Sequence, residues 1–188
     1  MLPICGDLER LPLRPGAVAM VWSNLALQWV DEPQQAFAEL RRVIAPGGLL
    51  MFSTFGPDTL KELRQAYQAA DRYNHVNRFI DMHDLGDMLL HAGFAAPVMD
   101  MEYITLTYAD VRALMHDLKA IGAHNVTAGR RQGMTARKTL DAVERSYETM
   151  RREGRLPATF EVVYGHAWAP MGRTMGDGKP IIPIKVQR

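Results

Sequence analysis

The sequence is short of cysteine, of long apolar runs and of any surplus of charge. Its one cysteine, Cys5, excludes an internal disulfide framework and fits a reducing compartment. No apolar stretch reaches the roughly 18 residues that a membrane span requires. Twenty-two Lys and Arg stand against 21 Asp and Glu, a net charge of +1, so no overall field argues for nucleic acid or a membrane surface. The first residues carry no basic segment followed by an apolar one, so no secretory leader is expected and the cytoplasm is the expected compartment. His75, His83 and His91 are spaced eight apart, which is not a ligand spacing on one helix, and no metal is expected. A glycine-rich turn after a buried strand is missing too: Gly129, Gly133, Gly172, Gly176 and Gly178 follow no such strand.

What is present reads as alternating strands and helices. The 188 residues are 47% hydrophobic, enough to bury a core, and the 12 methionines suit adaptable core filling. Residues 6–13 form a polar loop, and Pro15-Gly16 marks a turn. Ala17 to Trp22 is almost wholly apolar, as in a strand buried on both faces of a parallel sheet. Asp31 is placed to cap a helix with Pro33 in its first turn and Phe37, Leu40 and Ile44 on one face. Pro46-Gly47-Gly48 is expected to stop that helix, and Leu49 to Phe52 to form a second strand, giving one right-handed βαβ unit. Further on, the pattern predicts helices over about 58–72, 84–92, 110–121 and 136–153, with Ile121 and Met150 turned inward. Strands are predicted over 98–108 and 157–168, and an irregular tail from Pro170. One domain over residues 1–169 is expected.

Three stretches carry a resemblance: Gly6-Asp7-Leu8-Glu9-Arg10-Leu11-Pro12, Trp22-Ser23-Asn24-Leu25-Ala26-Leu27-Gln28-Trp29, and Phe37 through Gly48 with the strand after it. Together they resemble the later motifs of class I S-adenosylmethionine-dependent methyltransferases, and more narrowly the malonyl-[acyl-carrier protein] O-methyltransferases of biotin synthesis. Leu118 to Asn125, Gly129-Arg130-Arg131 and Leu156 to Gly165 resemble the C-terminal region of the same family. The resemblance implies a partial Rossmann-like α/β fold. In it, residues 17–22, 49–53, 98–108 and 158–168 stand as strands 4, 5, 6 and 7 of a sheet ordered 3-2-1-4-5-7-6. Strands 1 to 3 have no counterpart, which would leave strand 4 as an exposed apolar edge open to self-association or to another partner.

The resemblance also implies roles. S-adenosyl-L-methionine would be the cofactor and malonyl-acyl-carrier protein the partner. Asp7 would accept from the adenine amino group and the Leu8 N–H would reach the ring; the alternative for Asp7 is a capping or turn carboxylate. Ser23 and Asn24 would line the methionine end of the cofactor, or simply cap the next helix. Trp29 would wall the active site or sit in the core. Arg72, Arg78, Arg130 and Arg131 are candidates to clamp a carboxylate or phosphate, and His124 to touch substrate. The basic set Arg130, Arg131, Arg137, Lys138, Arg151, Arg152 and Arg155 either steers an acidic carrier protein or is a solvated face balanced by Glu144, Glu148 and Glu153. Transfer to an ionised carboxylate needs no general base, so no catalytic dyad is expected. Two other readings share the signature: a complex I assembly factor that hydroxylates arginine, and a non-catalytic fragment that binds a partner through its edge.

Overall fold

The computed structural model describes residues 3–71, 73, 75–122 and 136–171. Four strands, Val18–Asn24 (β1), Ile44–Phe55 (β2), Ala95–Tyr108 (β3) and Leu156–Trp168 (β4), lie in one sheet of order β1-β2-β4-β3. The helices are Pro33–Val43 (α1), Lys61–Gln68 (α2), Met82–His91 (α3), Val111–Ala120 (α4) and Arg137–Glu148 (α5). No helix among the described residues is long and apolar enough to cross a membrane. β1 and β2 are parallel, with Met20 opposite Leu49 and Asn24 opposite Ser53. Backbone bonds join Gly47 to Ala169 and Gly56 to Glu161, so β4 runs antiparallel to β2. The expected succession 4-5-7-6 is therefore the observed one.

The chain divides into two compact units. The first holds the residues up to Thr54, His83–Asp100 and the residues from Tyr164. Here α1 packs on the sheet, with Phe37 edge-on to Phe52 at 5.6 Å between ring centres. Leu40, Val43, Ile44, Leu50, Leu85 and Leu89 are buried with them. Each such side chain contributes about 1.5–3 kcal/mol of transfer free energy, offset in large part by chain entropy.

The second unit holds Phe55–Met82 and Met101–Val163. Its core joins Leu60, Leu63 and Ala66 to Val111, Leu114, Val143, Tyr147, Leu156 and Ala158. The Tyr147 hydroxyl donates to the Pro157 carbonyl at 2.7 Å, and burial pushes its ionisation far above the usual tyrosine range. Asp110 caps α4 as the pattern predicts, accepting from the Ala113 N–H at 2.9 Å.

Five local expectations need correction. Asp31 does not cap α1; the N-cap is Glu32, with no side-chain bond of its own. Pro46-Gly47-Gly48 is not a turn between helix and strand, because β2 already begins at Ile44. The three residues fall in a register irregularity, where Val18 faces Ile44 but Met20 faces Leu49. Gly47 takes φ 78°, and a Cβ on Gly48 would lie 2.6 Å from the Ala19 carbonyl oxygen. Glycine is therefore required for the close approach of β1 to β2. α2 starts only at Lys61, since Leu60 is left-handed at φ 56° and its N–H is taken by Thr159. α5 ends at Glu148, where Glu153 and Gly154 at positive φ turn the chain into β4. Ile121 is 73% exposed, because α4 ends at Ala120 and Gly122 turns the chain away.

Candidate functional site

The polar loop before β1 is a tight turn fixed to α1. The Arg10 N–H donates to the Asp7 carbonyl at 3.1 Å, and the Glu9 N–H donates to Asp7 Oδ1 at 2.9 Å. Asp7 thus acts as a turn carboxylate; it remains exposed. Glu9 Oε1 accepts the N–H groups of Asp31 and Glu32 at 2.8 and 2.9 Å, the second being the N-cap donor that a helix start leaves unpaired. Farther along α1, Arg42 donates to the carbonyls of Leu13 and Leu11 at 2.8 and 3.1 Å. Glu39 accepts the Leu11 N–H at 3.0 Å. Arg42 also hydrogen-bonds Glu39 and holds that carboxyl below its ordinary range. Sequence reasoning missed these three positioning residues. The Glu39–Arg42 spacing of three was the available signal; Glu9 gave none, because its partners lie 22 and 23 residues away.

At the C-terminal end of β1 the two adjacent polar residues behave differently. Ser23 is buried, and its hydroxyl has no hydrogen-bond partner among the described residues. Asn24 is exposed, and its Oδ1 accepts from Ser53 Oγ at 2.5 Å across the parallel pair. Leu25 then takes φ 48°, with its N–H directed at Ser53 O and Oγ at 3.0 and 3.2 Å. Neither Ser23 nor Asn24 caps the next element: the short 3-10 helix Leu27–Trp29 is capped by Ala26 without a side-chain bond. Trp29 is 43% exposed, so it is not core.

A cleft of about 440 Å³ opens on the sheet beside Asn24, lined among others by Trp22, Ser53, Asp100, Tyr164 and His166. Of the residues expected at the site, Asn24 lines it; Asp7, Leu8, Ser23 and Trp29 do not. Arg78 is exposed and belongs to the second unit. Arg72, His124, Arg130 and Arg131 lie outside the described residues.

Comparison with known proteins gives this arrangement a context. Residues 2–52 match the methyltransferase domain family. The chain is 60% identical over 181 residues to the malonyl-[acyl-carrier protein] O-methyltransferase of Gallionella capsiferriformans, a match covering 96% of this chain and 62% of that relative. It is 62% identical over 171 residues to the enzyme of the same name from Nitrosospira multiformis, covering 91% of this chain and 56% of the relative. The chain therefore spans about three-fifths of the length of these relatives. Among solved structures, the Bacillus halodurans protein BH2331, described as a candidate methyltransferase, superposes with a TM-score of 0.59 at 16% identity, over 88% of this chain and 76% of that one. The YcgJ protein of Bacillus subtilis superposes with a TM-score of 0.57 at 11% identity, over 89% and 70%.

The fold is that of the class I methyltransferases. In a class I methyltransferase fold, as in other open α/β sheets, ligands sit outside the carboxyl ends of the strands, which is where Ser23 and Asn24 stand on β1. Fold alone does not fix the reaction: the [4+2]-cyclase SpnF also superposes, with a TM-score of 0.50 at 23% identity.

The basic set divides. Arg151 is committed to Glu148 at 2.6 and 2.7 Å and to the carbonyls of Gly154 and Ala109. Arg155 donates to the Thr107 carbonyl at 2.6 Å. These two guanidinium groups secure the turn into β4. Arg137 and Lys138 project exposed from the first turn of α5.

Proposed function

We propose that residues 1–169 are the larger part of one methyltransferase domain that transfers a methyl group from S-adenosylmethionine to the free carboxylate of malonyl-[acyl-carrier protein]. The observation that carries this reading is the 60% identity, over 96% of the chain, to a relative of that name.

The residues present fit the cofactor in part. The Asn24 amide, held by Ser53, offers a polar contact at the end of β1, beside the buried Ser23 hydroxyl, which has no partner among the described residues. Asp7 presents an exposed carboxylate on a turn that Glu9, Glu39 and Arg42 fix to α1. The cofactor supplies a methyl group made electrophilic by its sulfonium. The malonyl carboxylate is ionised at neutral pH, so the chain's task is to orient it in line with the methyl–sulfur bond and to exclude water. Arg72, Arg78, Arg130, Arg131, His124 and Trp29 are the substrate-side candidates, and Arg137 and Lys138 would favour an acidic carrier protein.

Alone, the 188-residue chain is expected to bind S-adenosylmethionine weakly or not at all in calorimetry, because the Gly-rich half of the site is missing from it. The function is tested with the chain preceded by the residues of the Gallionella relative that its match leaves out. Malonyl-acyl-carrier protein incubated with this fusion and S-adenosylmethionine should gain the mass of one CH2. Gain of one oxygen on a protein arginine would replace this reading with a hydroxylase, and no change in either would leave a non-catalytic chain.

A further inference from the structure

Leu25, the residue after β1, takes a φ of 48°, one of four positive values at non-glycine residues among those described. Its Cβ is crowded in that left-handed region, which a leucine enters only under constraint. Strain of this kind persists where the surroundings over-determine the backbone. Here both backbone polar groups of Leu25 are gripped. The N–H is directed at Ser53. The carbonyl accepts the Gln28 Nε2–H at 2.6 Å, from a side chain on the short 3-10 helix that follows. Thr54 Oγ1, on a buried residue, donates in turn to Gln28 Oε1 at 3.4 Å. Ser53 and Thr54 are consecutive on β2, so their side chains leave opposite faces of that strand. Ser53 holds Leu25 directly, and Thr54 holds it through Gln28.

We propose that Gln28 is a positioning residue for methyl transfer: by holding the Leu25 carbonyl it fixes the bend through which the chain leaves β1. The inference rests on the proposed methyltransferase function. Ligands of an open α/β sheet sit outside the carboxyl ends of its strands, and this bend is that end of β1. Asn24, before the bend, is anchored by Ser53 without Gln28. What Gln28 decides is the course of the segment after Leu25, which ends in Trp29, a substrate-side candidate. Transfer to an already ionised carboxylate depends on alignment, so a small rotation of the bend lowers the rate while leaving cofactor affinity nearly intact.

Two substitutions test this. Gln28→Met keeps the length of the side chain and removes its donor and acceptor. Leu25→Gly removes the Cβ that makes the bend costly, so a glycine there keeps the bend without Gln28. In the 188-residue chain, leucine-selective carbon-13 labelling reads the Leu25 backbone from its Cα and Cβ shifts. The shifts should be left-handed in the natural chain and leave that region in Gln28→Met. In the fusion with the residues of the Gallionella relative, Gln28→Met should lower kcat/KM for malonyl-acyl-carrier protein by about tenfold or more, with KM for S-adenosylmethionine within about threefold. Adding Leu25→Gly should bring the rate back to within about threefold of the parent. Leu25 shifts that stay left-handed in Gln28→Met overturn the inference. So does an active fusion in which Gln28→Met lowers the thermal midpoint but not the rate, or in which Leu25→Gly restores nothing. A fusion that is inactive with its natural residues overturns the methyltransferase reading itself, and this inference with it.

Discussion

Ser53 Oγ lies 2.5 Å from Asn24 Oδ1, and the two residues face each other in the parallel register of β1 and β2. The hydroxyl donates to Asn24 and also receives the Leu25 N–H at 3.2 Å, so one buried side chain orients the amide and supports the strained residue after it. Ser53→Ala should therefore cost about 1–2 kcal/mol of stability, seen as a lower denaturation midpoint. In the completed enzyme of the proposed function it should raise the KM for S-adenosylmethionine more than it lowers kcat. An unchanged midpoint would show that water replaces the hydroxyl without loss.

Glu9 carries the N-terminus of α1 at a distance. Glu9→Ala leaves the Asp31 and Glu32 N–H groups without that acceptor and should cost about 1 kcal/mol, the usual worth of a helix cap. Amide exchange at Asp31 and Glu32 should quicken first, and the turn holding Asp7 should loosen with it. Equal effects across the whole chain would point to global destabilisation instead.

The Glu39–Arg42 pair sets an acid dependence. The Arg42 hydrogen bond lowers the Glu39 carboxyl from its ordinary value of 4.5 in the folded state. A depressed carboxyl contributes stability that is fully present above the unfolded value and is lost as pH falls through the folded one. Denaturation midpoints of the wild-type chain and Glu39→Gln should thus differ at pH 7 and converge as pH falls through the lowered Glu39 value. A gap that persists at low pH would assign the effect to packing.

Gly48→Ala should destabilise by about 1–3 kcal/mol, because the new methyl would meet the Ala19 carbonyl 2.6 Å away and push β1 from β2. Gly93→Ala meets no atom within 4 Å, so its cost is confined to the strain of its φ of 87°. Thermal unfolding of the two variants separates crowding from backbone strain.

In the second unit, Tyr147→Phe removes the donor to the Pro157 carbonyl but keeps the buried ring. A loss of about 1–2 kcal/mol is expected, well below the roughly 3–5 kcal/mol of Tyr147→Ala, which also opens a cavity. Urea titration distinguishes them.

The elements whose signals are local were legible from the chain. The period of Phe37 and Leu40 and the Asp110 cap gave the right structure at nearly the right place, and the apolar run before Ser23 gave a strand, though not one buried on both faces, since Met20 and Trp22 are exposed. Errors gathered where the deciding partner is distant in sequence. Thr159 holds Leu60 and so delays α2, and the pairing with β1 draws the Pro46-Gly47-Gly48 segment into a strand. At the site, the residue types and their place at the end of β1 were readable. That Ser23 is buried without a partner among the described residues, while its neighbour Asn24 is anchored by Ser53, was not.

By itself the sequence determined the polar end of β1, because hydrophobic period and polar punctuation act over short stretches, and the strand order followed from the family resemblance. Only the tertiary structure decided that Glu9, Glu39 and Arg42 fix the Asp7 turn to α1, and that Trp22 is exposed among the described residues. Side-chain to backbone bonds spanning more than 20 residues leave no periodic trace in a chain. They exist only once the sheet has formed.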